Sequence, residues 1–160
     1  MGAKADALAG QFEAKAREAA ATLEKLGDAD WKAVTAGEKW TVGATAHHLA
    51  GSLEAVAGIV TGLASGAPPR GSFTRAMLDE MNARHAQEHA SCTRAETLAL
   101  FRTGATAAAA VVRGLSDDQL AKSGTVFTDA PPMTAEQLIM LALLGHIDDH
   151  MGSIRKTVGG

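Results

Sequence analysis

Apolar residues recur along this chain at steps of three and four, and they nowhere alternate with polar ones over the length of a strand. A step of three to four keeps one face of an α-helix apolar, whereas a half-buried strand needs a step of two. The pattern confines the chain to helices packed on helices. Leu8, Phe12, Ala16, Ala19, Leu23 and Leu26 predict an amphipathic helix over 3–26, with Gly27 as its C-cap. Thr41 offers an N-cap for a second helix over 42–64, whose stripe is Leu49, Leu53, Val56, Val60 and Leu63. "SGAPPRGS" (65–72) breaks the pattern as a loop. A helix over 73–90 follows, apolar at Phe73, Met77, Leu78 and Met81 and polar in its second half. "TRAE" (93–96), "SDDQ" (116–119) and "TAEQ" (134–137) read as capping boxes. They open a helix to Leu115, a short turn of helix, and a final helix reaching Val158. "GTVFTDAPP" (124–132) is irregular, with room for a short extended piece. The expected architecture is all-α: a four-helix bundle over 1–160, with a longer crossover connection and one additional short helix.

Composition narrows the function classes. A chain of 160 residues can bury a real core, and 46% hydrophobic with 21% charged residues describes a globular protein. A formal net charge of −3 supplies neither a footprint for nucleic acid nor a polybasic membrane patch, so neither is an expected partner. The single cysteine, Cys92, excludes an internal disulfide framework and suits a reducing cytoplasm. The opening "MGAKADALAGQFEAKAREAA" carries acidic residues and no continuous apolar run, unlike a secretory signal. High alanine content favours helix and lets helices approach closely.

The six histidines fall as one adjacent pair, His47–His48, and two pairs spaced by four, His85/His89 and His146/His150. Residues four apart on a helix differ by about 40° around its axis, so both imidazoles of a spaced pair face one way, as two ligands of one ion must. Ile139, Leu143, His146, His150 and Ile154 step by four, three, four and four, which puts two histidines where the core stripe calls for aliphatic residues. Each neutral ring there has a donor and an acceptor to satisfy, by core partners or by a shared metal. His85 and His89 lie among Asn82, Arg84, Gln87, Glu88 and Ser91, a setting expected of a solvated face. A catalytic zinc takes three protein ligands, so a third histidine is needed, and the second helix offers His47 or His48. Helical periodicity leans toward His48, which aligns with Ser52, Ala55 and Ile59, without deciding between them.

"WTVGATAHHLAGS" (40–52) resembles the opening motif of the DinB/YfiT-like superfamily, and "HIDDHMGSI" (146–154) resembles its closing His-x-x-x-His motif. "MN" (81–82), and the 93–115 helix with "LSDDQL" after it, are similar to the intervening pattern. The resemblance implies a four-helix bundle holding a divalent metal, Zn or Ni foremost, on His48, His146 and His150. It also implies a metal-dependent thiol S-transferase or thiol-dependent isomerase that uses a low-molecular-weight thiol of the mycothiol or bacillithiol class as cosubstrate on an electrophilic small molecule. Homodimers are frequent in the family, and a homodimer is the expected assembly. No catalytic acid or base maps onto this chain. Asp148 and Asp149 flank the ligands but point away as solvated charges, and Cys92 reads as an incidental or buried thiol.

Three neutral imidazoles leave the charge of a divalent ion undiminished, which makes it a strong Lewis acid toward water or a thiol. Two other readings compete with catalysis. One is a metal- or ligand-binding bundle with a stress-related role and no turnover. The other is an interaction module whose histidines are core residues and whose small-residue helices pair.

Overall fold

The computed structural model describes residues 2–159. Its elements are α1 (Ala3–Glu24), α2 (Asp28–Lys32), α3 (Val42–Ala64), α4 (Arg75–Glu88), α5 (Arg94–Arg113) and α6 (Asp117–Ala121). Strands β1 (Ser123–Gly124) and β2 (Met133–Thr134) follow, and then a last helix in three parts. That helix is α7 (Ala135–Ile139), a π-helical stretch (Met140–Gly145) and α8 (His146–Thr157).

Side-chain caps start these helices where the sequence places them. The Thr41 hydroxyl accepts the Ala44 N–H at 3.0 Å. Thr93, Ser116 and Thr134 each cap their helix while Glu96, Gln119 and Gln137 reach back to the cap residue's N–H. Each such cap stabilises its helix by about 1 kcal/mol. Gly27 departs from expectation: α1 ends at Glu24, and Gly27 instead opens α2, its N–H donating to Asp30 at 3.2 Å. Five residues are too few to show a helical period, so α2 leaves no mark on the apolar pattern.

α1, α3, α5 and the last helix form the four-helix bundle. Arg113 pairs with Glu13 and Asp6, and Arg102 with Glu24, so α5 runs antiparallel to α1. Lys4–Glu136, Lys15–Asp148 and Glu18–Arg155 set the last helix parallel to α1. The core is filled by Phe12 and Leu23, by Leu49, Leu53 and Leu63, by Phe101, and by Ile139, Leu143, Met151 and Ile154. Between α3 and α5, a Cβ on Gly104 would lie 3.3 Å from both the Ala50 carbonyl and the Leu53 Cβ, so glycine permits that close approach. β1 and β2 pair antiparallel, Ser123 with Thr134, so the extended pieces flank the 124–132 stretch, and residues 125–132 form the loop that joins them.

α4 is the additional helix. It packs on the outside of α3, and Ala86 is its one buried residue. The chain before it is tied down where Thr128 N–H donates to the Phe73 carbonyl at 2.8 Å. Among the described residues no helix is long and apolar enough to cross a membrane.

Candidate metal centre

The last helix delivers two of the candidate ligands in a register the sequence did not reveal. A π-turn adds a residue to the repeat, so the stripe that begins at Ile139 and Leu143 continues as Ile147, Met151 and Ile154. His146 and His150 do not replace core residues, as their spacing suggested. They stand half-buried on the shoulder of that stripe, facing α3. π-turns of this kind gather at functional sites, where they re-aim side chains without ending the helix.

On α3, His48 is the buried member of the adjacent pair, 7% exposed. Its ring centroid lies 5.1 Å from that of His146 and 4.9 Å from that of His150, and those two are 4.4 Å apart and nearly perpendicular. One nitrogen from each ring falls within 4.8 Å of the other two. The three residues expected from the sequence to act together are thus brought together.

Charge and hydrogen bonding fit a cation held by neutral imidazoles. Burial, followed by the neighbouring rings of His150, His146 and His85, pushes His48 down to about 3. Burial and His150 push His146 down to about 4. Both rings are therefore uncharged at neutral pH and have no proton to shed before donating a lone pair. His146 Nε2 is buried and has no hydrogen-bond partner. A buried polar nitrogen left alone costs free energy, and an ion at the centre of the triad would satisfy it.

Behind His150 stands a residue the sequence did not announce. Glu38 Oε1 lies 2.8 Å from His150 Nδ1, and Ser153 donates its hydroxyl to Glu38 Oε2 at 2.5 Å. Burial raises the Glu38 pKa, but the hydrogen bonds from Ser153, His150 and Thr35 outweigh it and hold the carboxyl below its ordinary value. An ionised Glu38 fixes a proton on His150 Nδ1 and turns Nε2 toward the triad, the wiring that orients metal-binding histidines. Glu38 reaches this place in a tight loop, where Thr35 N–H donates to the Trp40 carbonyl at 2.8 Å and Lys39 N–H to the Thr35 carbonyl at 3.1 Å. Lys39 adopts φ +64°, in the left-handed region that favours glycine. Trp40 then sets its edge against His48 at 5.4 Å.

The remaining candidates fall as follows. Asp148 turns away to Lys15, and Asp149 is exposed. Cys92 is half-buried, and burial pushes its thiol up, which keeps it protonated and poorly nucleophilic. His85 and His89 are not on a solvated face: they pack against His47 beside the first triad. A surface hollow of about 800 Å3 lies between α1 and α5 and touches no histidine.

The fold and this site define a DinB/YfiT-like helical bundle. Residues 12–144 match the model of the mycothiol maleylpyruvate isomerase N-terminal domain, and the chain belongs to that family. Among solved structures, it is similar to a crystal structure of a histidine-to-alanine mutant of the mycothiol-dependent maleylpyruvate isomerase. The TM-score is 0.74 at 10% sequence identity, with 94% of this chain covered. The match extends over 60% of that protein's chain, and at this identity the likeness is one of fold. A search of curated protein sequences finds no match.

Proposed function

We propose that this chain is a metal-dependent enzyme that uses a low-molecular-weight thiol of the mycothiol class, either to isomerise an electrophilic small molecule or to transfer the thiol to it. The carrying observation is the orphaned, buried His146 Nε2 within a triad of imidazoles gathered from two helices. Family membership supports the thiol. His48, His146 and His150 would hold the ion, and Glu38 would keep His150 in its ligating tautomer. A divalent ion bound there supplies Lewis acidity, which favours the thiolate form of a thiol at neutral pH. Trp40 packs edge-on against His48, and among the described residues no carboxylate joins the three rings as a ligand. Charge on the ion would thus be left undamped.

The test is a thiol-consumption assay with mycothiol and a panel of electrophiles that includes maleylpyruvate, run on zinc-loaded and nickel-loaded protein. Turnover that disappears in His48→Ala supports the reading. Metal bound without turnover of any thiol would instead favour a non-catalytic metal-binding bundle. The assembly we would expect is a homodimer, which light scattering would check.

A further inference from the structure

The histidines that the first triad leaves over form a second one. His47 precedes His48 by one residue, about 100° around α3, so the adjacent pair sends its two rings in different directions. His47 Nδ1 is 2.9 Å from His85 Nε2, and the His47 ring stacks on His89 with centroids 3.9 Å apart. His85 and His89 are themselves 4.3 Å apart. As in the first triad, one nitrogen from each residue lies within 4.8 Å of the other two.

We propose that His47, His85 and His89 form a second divalent-metal site, a clip that fastens the C-terminal end of α4 to α3. Two nitrogens bound to one tetrahedral zinc sit roughly 3.4 Å apart, so the His47–His85 separation already approaches a ligand pair. The donor set is all imidazole, suited to zinc, nickel or copper. α4 also needs a fastening, because it buries only Ala86 and gains little from apolar contact. His85 occupies its last turn and His89 caps it, the one-turn spacing that lets a short helix grip an ion. The clip would also fix a wall of the first site, since the His85 ring lies edge-on to His48 at 6.1 Å. This inference stands independently of what the first triad does.

The experiment measures zinc content by elemental analysis after zinc loading and dialysis. It compares the full-length protein with a His85→Ala/His89→Ala variant and a His48→Ala/His146→Ala variant, each checked for helicity by circular dichroism. Two ions per chain in the parent and one in each variant are expected. One ion that vanishes only in the His85→Ala/His89→Ala variant also supports the clip, while sinking the metal role of the first triad. Equal zinc in the parent and the His85→Ala/His89→Ala variant overturns the clip, leaving three stacked, hydrogen-bonded rings. Hydrogen exchange gives an independent reading. At zinc 100-fold above its dissociation constant, α4 amides should slow by up to about 100-fold in the parent. They should not slow in the variant, and unchanged α4 exchange in the parent would count against the clip.

Discussion

The two histidine triads start from adjacent residues of one helix and differ in almost everything that surrounds them. The inner triad is built on two bundle helices, has one ring almost fully buried, and is backed by Glu38. The outer triad joins a bundle helix to α4, stays half-buried throughout, and among the described residues has no carboxylate hydrogen-bonded to its rings. Equal ligand counts therefore do not make equal sites. A carboxylate behind a ligand and a rigid frame on both sides pre-orient the inner rings, whereas the outer rings rest on α4, which buries only Ala86. The inner site should bind more tightly, and the outer one should govern local motion.

The largest contrast is expected from losing an inner ligand. His48→Ala should abolish inner-site metal and turnover while leaving the outer ion in place, as metal analysis and a thiol assay would report. Next comes Glu38→Gln, which should weaken zinc at the inner triad by about 10- to 100-fold in a competitive chelator titration. An equal loss at both triads would erase the distinction drawn between them. Gly43→Ala acts on stability. Its Cβ would fall 2.4 Å from Trp31 Nε1, an indole that is itself held by donation to the Cys92 carbonyl at 2.9 Å. Displacing that ring should cost roughly 1–3 kcal/mol in denaturant unfolding.

Acid should act on both triads alike in the metal-free protein. His48, His146 and His47 have folded pKa values of about 3, 4 and 4, below the ordinary 6.5. Below pH 6.5 the unfolded chain binds more protons at these groups than the folded one. Their contribution to stability is full above that pH and is lost as pH falls toward 4 and 3. Metal-free protein should show a melting temperature that drops by several degrees between pH 7 and pH 5, and His146→Gln should flatten the slope. The smallest effect is Lys39→Gly, which relieves a left-handed residue and should raise stability by up to about 1 kcal/mol.

How legible each feature was in the sequence depends on its range. Thr41, Thr93, Ser116 and Thr134 act on backbone within three residues of themselves, so the helix starts could be read directly. His48, His146 and His150 combine a one-turn spacing with motifs that resemble a family, and the structure gathers all three. Glu38 could not be found this way, because it stands 112 positions from His150 and reaches it through the turn at Lys39. His85 and His89 were hidden by polar neighbours: a helix that rests on another with one small residue, Ala86, has no apolar stripe to show which face is turned inward. The π-turn was hidden too, since Leu143, Leu144 and Gly145 satisfy an ordinary helical pattern and the extra residue emerges only in the packing.

The account rests above all on the inner triad holding an ion, and the most direct test removes the outer triad from the question. Protein carrying His85→Ala and His89→Ala would be purified without chelator, with and without a further His48→Ala change, and its divalent metals counted. About one ion per chain with His48 present, and none without it, is the predicted result. No ion in either protein, or an ion that persists after His48 is gone, would contradict the account and leave His48, His146 and His150 as structural residues of a bundle.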